Sequence, residues 1–477
     1  MAHRYLEPHC GRFLPTPISR REMLARSGVG IGSLALTSLL ADDGLLAAGH
    51  GTTSLKTRPN AAKSVIFLFM AGGPSQVDSY DPKPLLNELD GKDTPESIRK
   101  LFPLTAVQGN GTRRLMGCPF EFKQYGQSGL PVSSLFTETA KHIDDLCVIR
   151  SIQHDSVIHI PSEYMMTTGS LIGDRPSFGS WVLYGMGSEN KNLPGFVVLG
   201  PAPPRPTLNS GFLPARYQGT SIQSSTVGIP NLRLPGGLSI DERRHQLNLL
   251  GALNQEHLER QQDNDSELEA RIRSYELAFR MQAAAPEAFD LTRESEQTQR
   301  LYGMDHGNAD TREVGAQYLL ARRLVERGVR FVQIRVPGWD SHSDLKGGHG
   351  NRALATDRPT FGLLEDLKRR GLFDSTLVVW GGEFGRTPGV EGGTGRDHSP
   401  GGFTWWFAGG GIRGGQTIGK TDEVGYTAVE RPFAPCDMHA TMLHALGVDQ
   451  YDMHYNHHGR REIATFNGGK VVKDAFA

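Results

Sequence analysis

The sequence predicts an α/β protein built on a large, mostly parallel sheet. Three apolar runs, at 64–70, 329–336 and 377–380, have the length and β-branched content of strands buried on both faces. Each run passes into a loop rich in glycine and acidic residues, and helical patterns at 313–327 and 360–370 precede the second and third runs. This repeated order of helix, strand and acidic loop is typical of βαβ units, whose strands run parallel.

The composition is that of an ordinary soluble globular protein. At 477 residues the chain is long enough for one large α/β domain with insertions or for two or three smaller domains. Its 38% hydrophobic and 22% charged residues are typical values. A formal net charge of -1 argues against a nucleic-acid-binding surface spread over the protein, so no nucleic-acid partner is expected. The 58 glycines are dispersed, which indicates many tight turns and ordered loops.

The first 48 residues are predicted to be an export signal. Arg20 and Arg21 precede a short, weakly apolar run at 28–41 and then small residues at 46–48, an order that resembles a twin-arginine signal. We therefore expect passage through the twin-arginine translocation machinery and a periplasmic or extracellular location. No other segment reaches the length of a transmembrane helix.

The remainder is predicted to be a polar linker, 49–63, and a single domain, 64–477. Within that domain, a proline- and glycine-rich stretch and then a polar helical pattern, 241–285, interrupt the regular alternation. We predict a helical or irregular insertion or cap at about 194–300.

The cysteines do not indicate a disulfide framework. Cys10 would leave with the signal, and Cys118, Cys147 and Cys436 are an odd number without C-x-x-C spacing. The same spacing argues against a thiolate metal site.

Candidate functional residues follow the predicted strands. Ser75 and Asp78 lie in the loop after the first strand, although Ser75 could instead cap a helix and Asp78 shape a turn. His154 and His159 lie at a strand-to-helix passage after the apolar run 146–150, and at least one of them is expected to be a buried core histidine.

Two later loops carry the remaining candidates. Asp340 and His342 follow the strand at 329–336. The stretch after 377–380 is predicted to be one glycine-rich loop, and its candidates are Glu383, Arg386, Arg396, Asp397 and His398. In open α/β sheets, ligands bind beyond the carboxyl ends of the strands. The alternative for the last loop is a set of surface ion pairs.

Taken together, these side chains predict a metal site. Mixed carboxylate and imidazole donors suit Zn²⁺ or Mn²⁺, whereas a calcium site would consist almost entirely of oxygen ligands. We expect one or two divalent ions. Such an ion can activate water or polarise an ester oxygen while arginines neutralise the leaving charge.

Several segments resemble the exported DUF1501 proteins, a family without assigned function. They are GGPSQVDSYDPKP, RSIQHDSVIH, LLARRLVERGVRFVQIRVPGWDSHSDL, VVWGGEFGRTP, GRDHSPGGF and CDMHATMLHALGVD, and together they span nearly the whole chain after the signal. That family is similar to the alkaline phosphatase and sulfatase superfamily. The resemblance implies a three-layer α/β/α sandwich around the sheet and metal-dependent hydrolysis or transfer at phosphate or sulfate esters.

The chain departs from the superfamily pattern at several positions. Sulfatases carry Cys-x-Pro-Ser-Arg followed by Thr-Gly, and here His159 stands in place of the cysteine and Glu163 in place of the arginine. A formylglycine sulfatase is therefore not expected, and His159 is left as a ligand, a nucleophile or the remnant of a lost site. The superfamily's Asp-His pair after a central strand corresponds to Glu383 and Phe384, and phenylalanine cannot ligate a metal.

Other positions agree with the superfamily. His398 resembles a later metal-binding histidine, and Asp340 and His342 resemble an earlier ligand pair at a closer spacing.

Two hypotheses result. The leading one is an exported metallohydrolase acting on a small-molecule or glycan ester, with His159 or Ser75 as nucleophile and Arg386 as oxyanion binder. Its metal ligands or their orienting residues are Asp78, Asp340, His342, Glu383, Asp397 and His398. The alternative is a non-catalytic protein that binds an anionic envelope component or glycan, because a fold alone does not confer function.

Overall fold

The computed structural model describes residues 55, 57–58, 61–100, 114–223, 240–260, 280 and 286–476. The predicted signal, 1–48, lies outside the described residues, as does most of the predicted linker. Within the described part of the chain, no helix is both long and apolar enough to cross a membrane. The three cysteines described there, Cys118, Cys147 and Cys436, are free thiols.

Sixteen strands are described. In chain order they are β1 Ser64–Ala71, β2 Phe122–Tyr125, β3 Leu130–Ser133, β4 Leu146–Ile152, β5 Phe196–Leu199, β6 Thr220–Ile222, β7 Phe331–Pro337, β8 Thr376–Gly381, β9 Gly385–Glu391, β10 Gly395–Ser399, β11 Phe403–Ala408, β12 Gln416–Ile418, β13 Lys420–Thr421, β14 Ala428–Glu430, β15 His454–His457 and β16 Arg460–Ile463.

Nine α-helices are described between these strands. They are α1 Pro84–Glu88, α2 Glu96–Arg99, α3 His159–Thr168, α4 Phe178–Met186, α5 Ile240–Arg260, α6 Glu296–Leu301, α7 Ala309–Glu326, α8 Leu345–Arg369 and α9 Pro435–Ala445. Short 3₁₀ turns complete the connections, at Gln76–Asp78, Ser134–Phe136, Thr139–Asp145, Arg205–Thr207, Ala215–Tyr217, Leu291–Arg293 and Lys473–Ala475.

Eight of the described strands form one sheet in the order β12-β4-β11-β8-β1-β7-β5-β6. All pairings are parallel except those of β11, which runs antiparallel to β8 and β4. The predicted large, mostly parallel sheet is confirmed. The carboxyl ends of β1, β4, β7 and β8 therefore lie along one edge, and the start of β11 lies there too.

The sheet separates two apolar cores, which confirms the three-layer arrangement. Alternate side chains of a strand point to opposite faces. Ile66 and Leu68 of β1 join a core covered by α7 and α8, whereas Val65 and Phe67 join a second core covered by α4 and α9. Burial on both faces explains why β1 reads as an unbroken apolar run.

Two predicted segments differ from the structure. The helix expected at 360–370 is α8, which begins at Leu345 because Asp344 accepts a hydrogen bond from the Gly347 backbone N–H as an N-cap. Three glycines, Gly347, Gly348 and Gly350, and the internal Pro359 obscure the helical pattern of its first half. The prediction of a single loop after β8 is wrong, because that stretch contains the antiparallel hairpin β9–β10. Its buried side chains are largely polar, so it lacks the apolar alternation of an ordinary strand.

Part of the range predicted as an insertion or cap belongs to the sheet. Strands β5 and β6 fall within 194–300 and form one edge of the sheet, with β5 parallel to β7. The polar helical region corresponds to α5 as far as Arg260. For the rest of this range, an insertion or cap remains a prediction.

The hairpin β9–β10 is fixed against the loop that follows β7. Backbone N–H groups of Thr394 and Arg396 donate to the carbonyls of Ser343 and Ser341, each over 3.1 Å. A Cβ atom on Gly395 would lie only 2.0 Å from the carbonyl carbon of His342, so only glycine allows this close approach. The contact places β10 beside the residues at the end of β7.

Candidate metal centre

Four side chains from three separate segments meet beyond this sheet edge. They are His159, the first residue of α3; Asp340 and His342, in the loop after β7; and His398, on β10. One ligand atom of each lies within 4.8 Å of the ligand atoms of the other three. We call these four residues the His/Asp cluster. The structure therefore brings together three of the predicted metal ligands and one of the predicted nucleophiles.

Asp340 is the centre of the cluster. Its Oδ1 lies 2.8 Å from His342 Nε2 and 3.2 Å from His398 Nε2. Its Oδ2 lies 3.3 Å from His159 Nε2. The two nitrogens His342 Nε2 and His398 Nε2 are 2.9 Å apart. All three imidazoles thus direct the same ring atom toward one carboxylate.

The opposite nitrogen of each ring is held by an oxygen that can only accept a hydrogen bond. The pairs are His159 Nδ1 with Glu383 Oε1 at 2.6 Å, His342 Nδ1 with Glu391 Oε2 at 2.7 Å, and His398 Nδ1 with the Val157 carbonyl at 2.7 Å. Because these oxygens accept, each Nδ1 carries a proton, and in the neutral ring Nε2 presents its lone pair to the cluster. Metal-ligating histidines are typically oriented in this way.

The charges within the cluster shift the pKa values of His159 and Asp340 in opposite directions. Burial alone would lower the pKa of His159, but its interactions with the carboxylates of Asp340 and Glu383 raise that pKa to about 9. Burial alone would raise the pKa of Asp340, but His159, His398 and Arg386 hold it well below its usual range. At neutral pH and without a metal, the carboxylate is ionised and a proton occupies the site.

The donor set fits a transition-metal ion. His159 Nε2 is buried and has no hydrogen-bond partner among the described residues, although Asp340 Oδ2 is 3.3 Å away. Tetrahedral ligands about 2.0–2.1 Å from Zn²⁺ are separated by roughly 3.3 Å, close to the separations found here. Three imidazoles and one carboxylate suit Zn²⁺ better than Ca²⁺ or Mg²⁺.

One side of the cluster faces solvent. The side chains of Asp340 and His342 are 42% and 39% exposed. Structural zinc sites are closed four-coordinate cages, whereas catalytic sites keep a position open to water or substrate. The exposure of Asp340 and His342 favours an open site.

Phe384 forms the apolar floor of the cluster. Its ring centroid lies 4.9 Å from that of His159 and 4.6 Å from that of His398, and the side chain is buried. The position where the sequence departs from the phosphatase pattern therefore holds a side chain that fixes two rings and excludes water from beneath them.

Glu383 lies behind His159, outside the cluster. Its carboxylate is fully buried, and Oε1 accepts hydrogen bonds from the Gly72 backbone N–H at 2.8 Å and from His159 Nδ1. His154 supports the same residue, because its Nε2 donates to the Glu383 carbonyl at 2.6 Å. Glu383 therefore orients a ligand. At least one histidine of this pair is predicted to be buried, but His154, although hydrogen-bonded, is only partly buried.

Asp397 belongs to a second group of possible metal ligands, which shares His342 with the His/Asp cluster. Its carboxylate lies within reach of His342 and Glu391, and it accepts a hydrogen bond from the backbone N–H of its neighbour His398 at 2.8 Å. The register of β10 shifts between Arg396 and His398, so a β-bulge surrounds Asp397. Because both groups use His342, they do not describe two independent metal sites.

Ser75 and Asp78 lie in a separate buried network. Asp78 is fully buried and faces Arg396, with Nε to Oδ2 at 2.7 Å and Nη2 to Oδ1 at 3.1 Å. The Ser75 hydroxyl donates to Asp78 Oδ2 at 2.5 Å, and His349 Nε2 accepts from the Ser75 backbone N–H at 3.0 Å. We call Ser75, Asp78, His349 and Arg396 the closed network. Its contacts do not favour the predicted roles of Asp78 as a ligand and Ser75 as a nucleophile.

Arg386 is also buried behind the cluster. Its guanidinium donates to the carbonyls of Gly72, Gly73 and Arg396 and to Asp340 Oδ1, the last at 2.6 Å. Burial lowers its pKa, and the charge of Asp340 opposes that shift. Arg386 holds Asp340 in place, and this position does not favour the predicted role as oxyanion binder.

Sequence reasoning missed the residues that orient the rings. Glu391 lies on β9, seven residues before His398, and became recognisable only once the hairpin was known. The Val157 contact uses a backbone carbonyl, which no side-chain motif can reveal. His349, inside the glycine-rich start of α8, carried no spacing signal.

Comparison with known proteins gives a family but no activity. Residues 62–476 match the family model described as "Protein of unknown function (DUF1501)". No curated protein matches the chain. The solved structures that it matches include the alkaline phosphatase of the Antarctic bacterium TAB5, at 9% identity over 83% of this chain and 100% of that one, with a TM-score of 0.30.

Two further matches are similarly distant. A lipoteichoic acid synthase from Listeria monocytogenes is 10% identical over 83% of this chain and 76% of that chain, with a TM-score of 0.32. A sulfatase from Pseudoalteromonas sp. is 12% identical over 91% and 72% of the two chains, with a TM-score of 0.34. Likenesses at this level transfer neither ligands nor activity to this chain.

Proposed function

The chain belongs to the DUF1501 family, and we propose that it is a metal-dependent hydrolase or transferase that acts on a phosphate or sulfate ester. The observation that carries the proposal is the convergence of three Nε2 atoms on the Asp340 carboxylate, with each opposite Nδ1 held by an acceptor oxygen. An ordinary surface ion-pair cluster would pair each carboxylate with a cation and would not require three oriented lone pairs.

The four residues of the His/Asp cluster would hold a single divalent ion, with Zn²⁺ as the first choice and Mn²⁺ as the second. When bound, such an ion lowers the pKa of water from about 15.7 toward about 7 and polarises an ester oxygen. The overlapping carboxylate group shares His342 with the cluster, which supports one ion in preference to two.

The surrounding residues would keep the ligands in place during the reaction. Glu383 and Glu391 fix the tautomers of His159 and His342 through the Nδ1 hydrogen bonds. Arg386 keeps the Asp340 carboxylate ionised and oriented. Phe384 excludes water from the inner side, which leaves the exposed side for the substrate.

In this proposal water supplies the attacking oxygen. The Ser75 hydroxyl is fully buried and donates to Asp78, so it does not reach a substrate in solvent. His159 Nδ1 donates to Glu383, and Nε2 directs its lone pair toward the cluster, where the ion would be held. His159 therefore acts as a ligand rather than as a nucleophile.

Export remains part of the proposal. The twin-arginine segment lies outside the described residues, and its prediction rests on Arg20 and Arg21. Expression of the full chain with both arginines replaced by lysine, followed by cell fractionation, tests it. Retention of the variant in the cytoplasm while the native chain is exported is the expected result, and equal export of both contradicts it.

The metal content of protein purified without chelator tests the central claim. We expect about one ion per chain, falling below about 0.1 in Asp340→Ala and His398→Ala, because each change removes one of four ligands. His458→Asn, at an exposed histidine with φ +48° where asparagine is tolerated, is the matched control and should keep its metal.

The same samples test catalysis. Turnover of aryl phosphates or sulfates should accompany the metal and disappear in both ligand variants. A native protein without stoichiometric metal, or ligand variants that keep it, overturns the proposal. Metal without turnover of any ester would instead favour the non-catalytic alternative.

A further inference from the structure

Ser341 is a buried residue between two partly exposed members of the His/Asp cluster. Asp340 and His342 each direct a ligand atom into the cluster, and their side chains are 42% and 39% exposed. Ser341 lies between them in the chain and is only 7% exposed. The loop after β7 therefore turns this one side chain inward while its two neighbours reach the site.

The inward side chain is held by the start of α8. Ser341 Oγ lies 3.1 Å from His349 Nδ1, and both residues are buried. Gly348 makes this contact possible, because a Cβ atom there would lie only 2.3 Å from Ser341 Oγ and would displace the hydroxyl. The loop after β7 and the first turns of α8 are thus fitted together at one hydroxyl group.

The hydrogen bonds of His349 fix which of its nitrogens carries the proton. Its Nε2 lies 3.0 Å from the Ser75 backbone nitrogen, and a backbone N–H can only donate. Nε2 therefore accepts, and in this neutral ring Nδ1 carries the proton and donates to Ser341 Oγ. Because Ser75 uses the only lone pair of the ring, His349 is not placed to take the proton of the Ser341 hydroxyl as a general base. The contact instead holds the serine in place.

The backbone of Ser341 is held as well. Its carbonyl accepts a hydrogen bond from the Arg396 N–H over 3.1 Å, and Arg396 lies two residues before His398 on β10. Ser341 is therefore bonded through its side chain to α8 and through its backbone to the strand that carries another ligand. Both partners, His349 and Arg396, belong to the closed network.

We propose that His349 and Ser341 are positioning residues of the metal site, which hold Asp340 and His342 at the separation and orientation that one ion requires. Neither residue would touch the ion or the substrate. The inference rests on the proposed function, because it assumes that the His/Asp cluster binds a metal. It gives the closed network a role in the reaction, since the network supports the ligands without supplying one.

The zinc affinity of matched variants, measured by competition with a chromophoric chelator, tests the proposal. Ser341→Ala removes the hydroxyl, and His349→Gln keeps an acceptor near the Nε2 position but loses the donor near the Nδ1 position. Each change should weaken zinc binding about tenfold, as the loss of a supporting hydrogen bond around metal ligands does in other sites. The double variant should lose no more than either single variant, because both changes break the same contact.

His349→Asn is the conservative variant. An asparagine amide can place its N–H near the Nδ1 position and so can still donate to Ser341, although it no longer reaches the Ser75 N–H. Its zinc affinity should stay within about threefold of that of the native protein. A loss equal to that of His349→Gln would contradict the role of the Nδ1 donor.

The visible absorption of bound Co²⁺ separates positioning from a general loss of stability, because the spectrum depends on the arrangement of the ligands around the ion. Ser341→Ala and His349→Gln should both change it. Ser180→Ala is the matched control, because this serine is also buried but its hydroxyl bonds to Ser177 and to the Asn209 carbonyl. It should lower the urea midpoint while zinc affinity and the Co²⁺ spectrum stay unchanged.

The outcomes separate this inference from the proposed function. Native zinc affinity and a native Co²⁺ spectrum in both Ser341→Ala and His349→Gln overturn the positioning role while the metal site stands. Losses that add in the double variant would show that the two residues act independently, which also contradicts the proposal. A native protein that binds neither zinc nor cobalt overturns the proposed function itself.

Discussion

Two polar groups lie beyond the same edge of the sheet, and they use their carboxylates in opposite ways. In the closed network, Asp78 is fully buried and faces the guanidinium of Arg396. In the His/Asp cluster, Asp340 is 42% exposed and faces three imidazole nitrogens. Both carboxylates follow neighbouring parallel strands, so their position in the fold does not explain the difference.

The partner's chemistry explains it. A guanidinium has only donors and stays charged. Arg396 engages both oxygens of Asp78 and leaves nothing for a further ligand, whereas Arg386 reaches only Oδ1 of Asp340. An imidazole can give up its proton and offer a lone pair instead. The closed network is therefore complete by itself, whereas the cluster is complete only with a proton or a metal. The two carboxylates cannot be distinguished in the sequence. Only the residues that pair with them in the structure show which carboxylate is available to a further ligand.

The two groups should differ most in the loss of stability when the carboxylate of each is removed from metal-free protein. Asp78→Ala leaves Arg396 buried without its counter-ion and should lower the free energy of unfolding by about 3–5 kcal/mol. Asp340→Ala removes a partly exposed carboxylate, and its buried partner Arg386 keeps three carbonyl acceptors and the nearby charges of Glu383 and Asp397. The loss should therefore be smaller, about 1 kcal/mol. Urea unfolding of both variants measures this. Equal losses would show that the two groups do not differ as described.

A smaller effect should follow from weakening the orientation of one ring. Glu383→Gln should reduce metal affinity by about 10–100-fold, because the carboxylate that fixes His159 Nδ1 becomes a neutral amide. Competition with a chromophoric chelator gives the affinity. Glu391→Gln, at a more exposed partner of His342, serves for comparison and should cost less. Unchanged affinity in Glu383→Gln would mean that His159 is not held as a ligand.

The smallest effect is a pH dependence that belongs to the closed network. Burial lowers the pKa of His349 to about 3, from an ordinary value near 6.5. Between these pH values the unfolded chain binds a proton that the folded chain does not, so stability is present above about pH 6.5 and falls as the pH drops toward 3. From pH 6.5 to 5.0 the loss should approach about 2 kcal/mol.

His349→Gln should remove this contribution. Urea unfolding of native and variant protein at pH 6.5 and 5.0 measures the difference in slope. Part of the native slope should remain, because burial also lowers the pKa of His439, to about 4. Identical slopes in the two proteins would exclude His349 as a source of acid sensitivity.

The architecture could be predicted because its signal is local. The doubly buried strands β1, β7 and β8 read as apolar runs, and the helices between them carry a regular period. The hairpin β9–β10 was missed because its buried residues are polar and satisfied by distant partners, as Arg396 is by Asp78. A strand of this kind cannot be predicted from the pattern of hydrophobic residues.

The location of the site could be predicted from the sequence, but the roles of its individual residues could not. Residues that follow parallel strands meet at one edge, which brings His159, Asp340, His342 and His398 together. Whether a carboxylate at this edge ligates, orients or closes an ion pair depends on pairings between residues far apart in the chain, from 46 residues for Asp340 with Arg386 to 318 for Asp78 with Arg396. Chain position alone contains no information on those pairings.

Among the five buried tryptophans, one lies beside the proposed metal site. Trp339 is fully enclosed, immediately precedes Asp340, and has its ring centroid 5.2 Å from that of His349. A paramagnetic ion such as Cu²⁺ or Co²⁺, bound at the proposed site, would quench the indole emission of a side chain this close to the ligand loop. Occupancy of the proposed site could therefore be followed in real time through an intrinsic fluorophore, without dye or label.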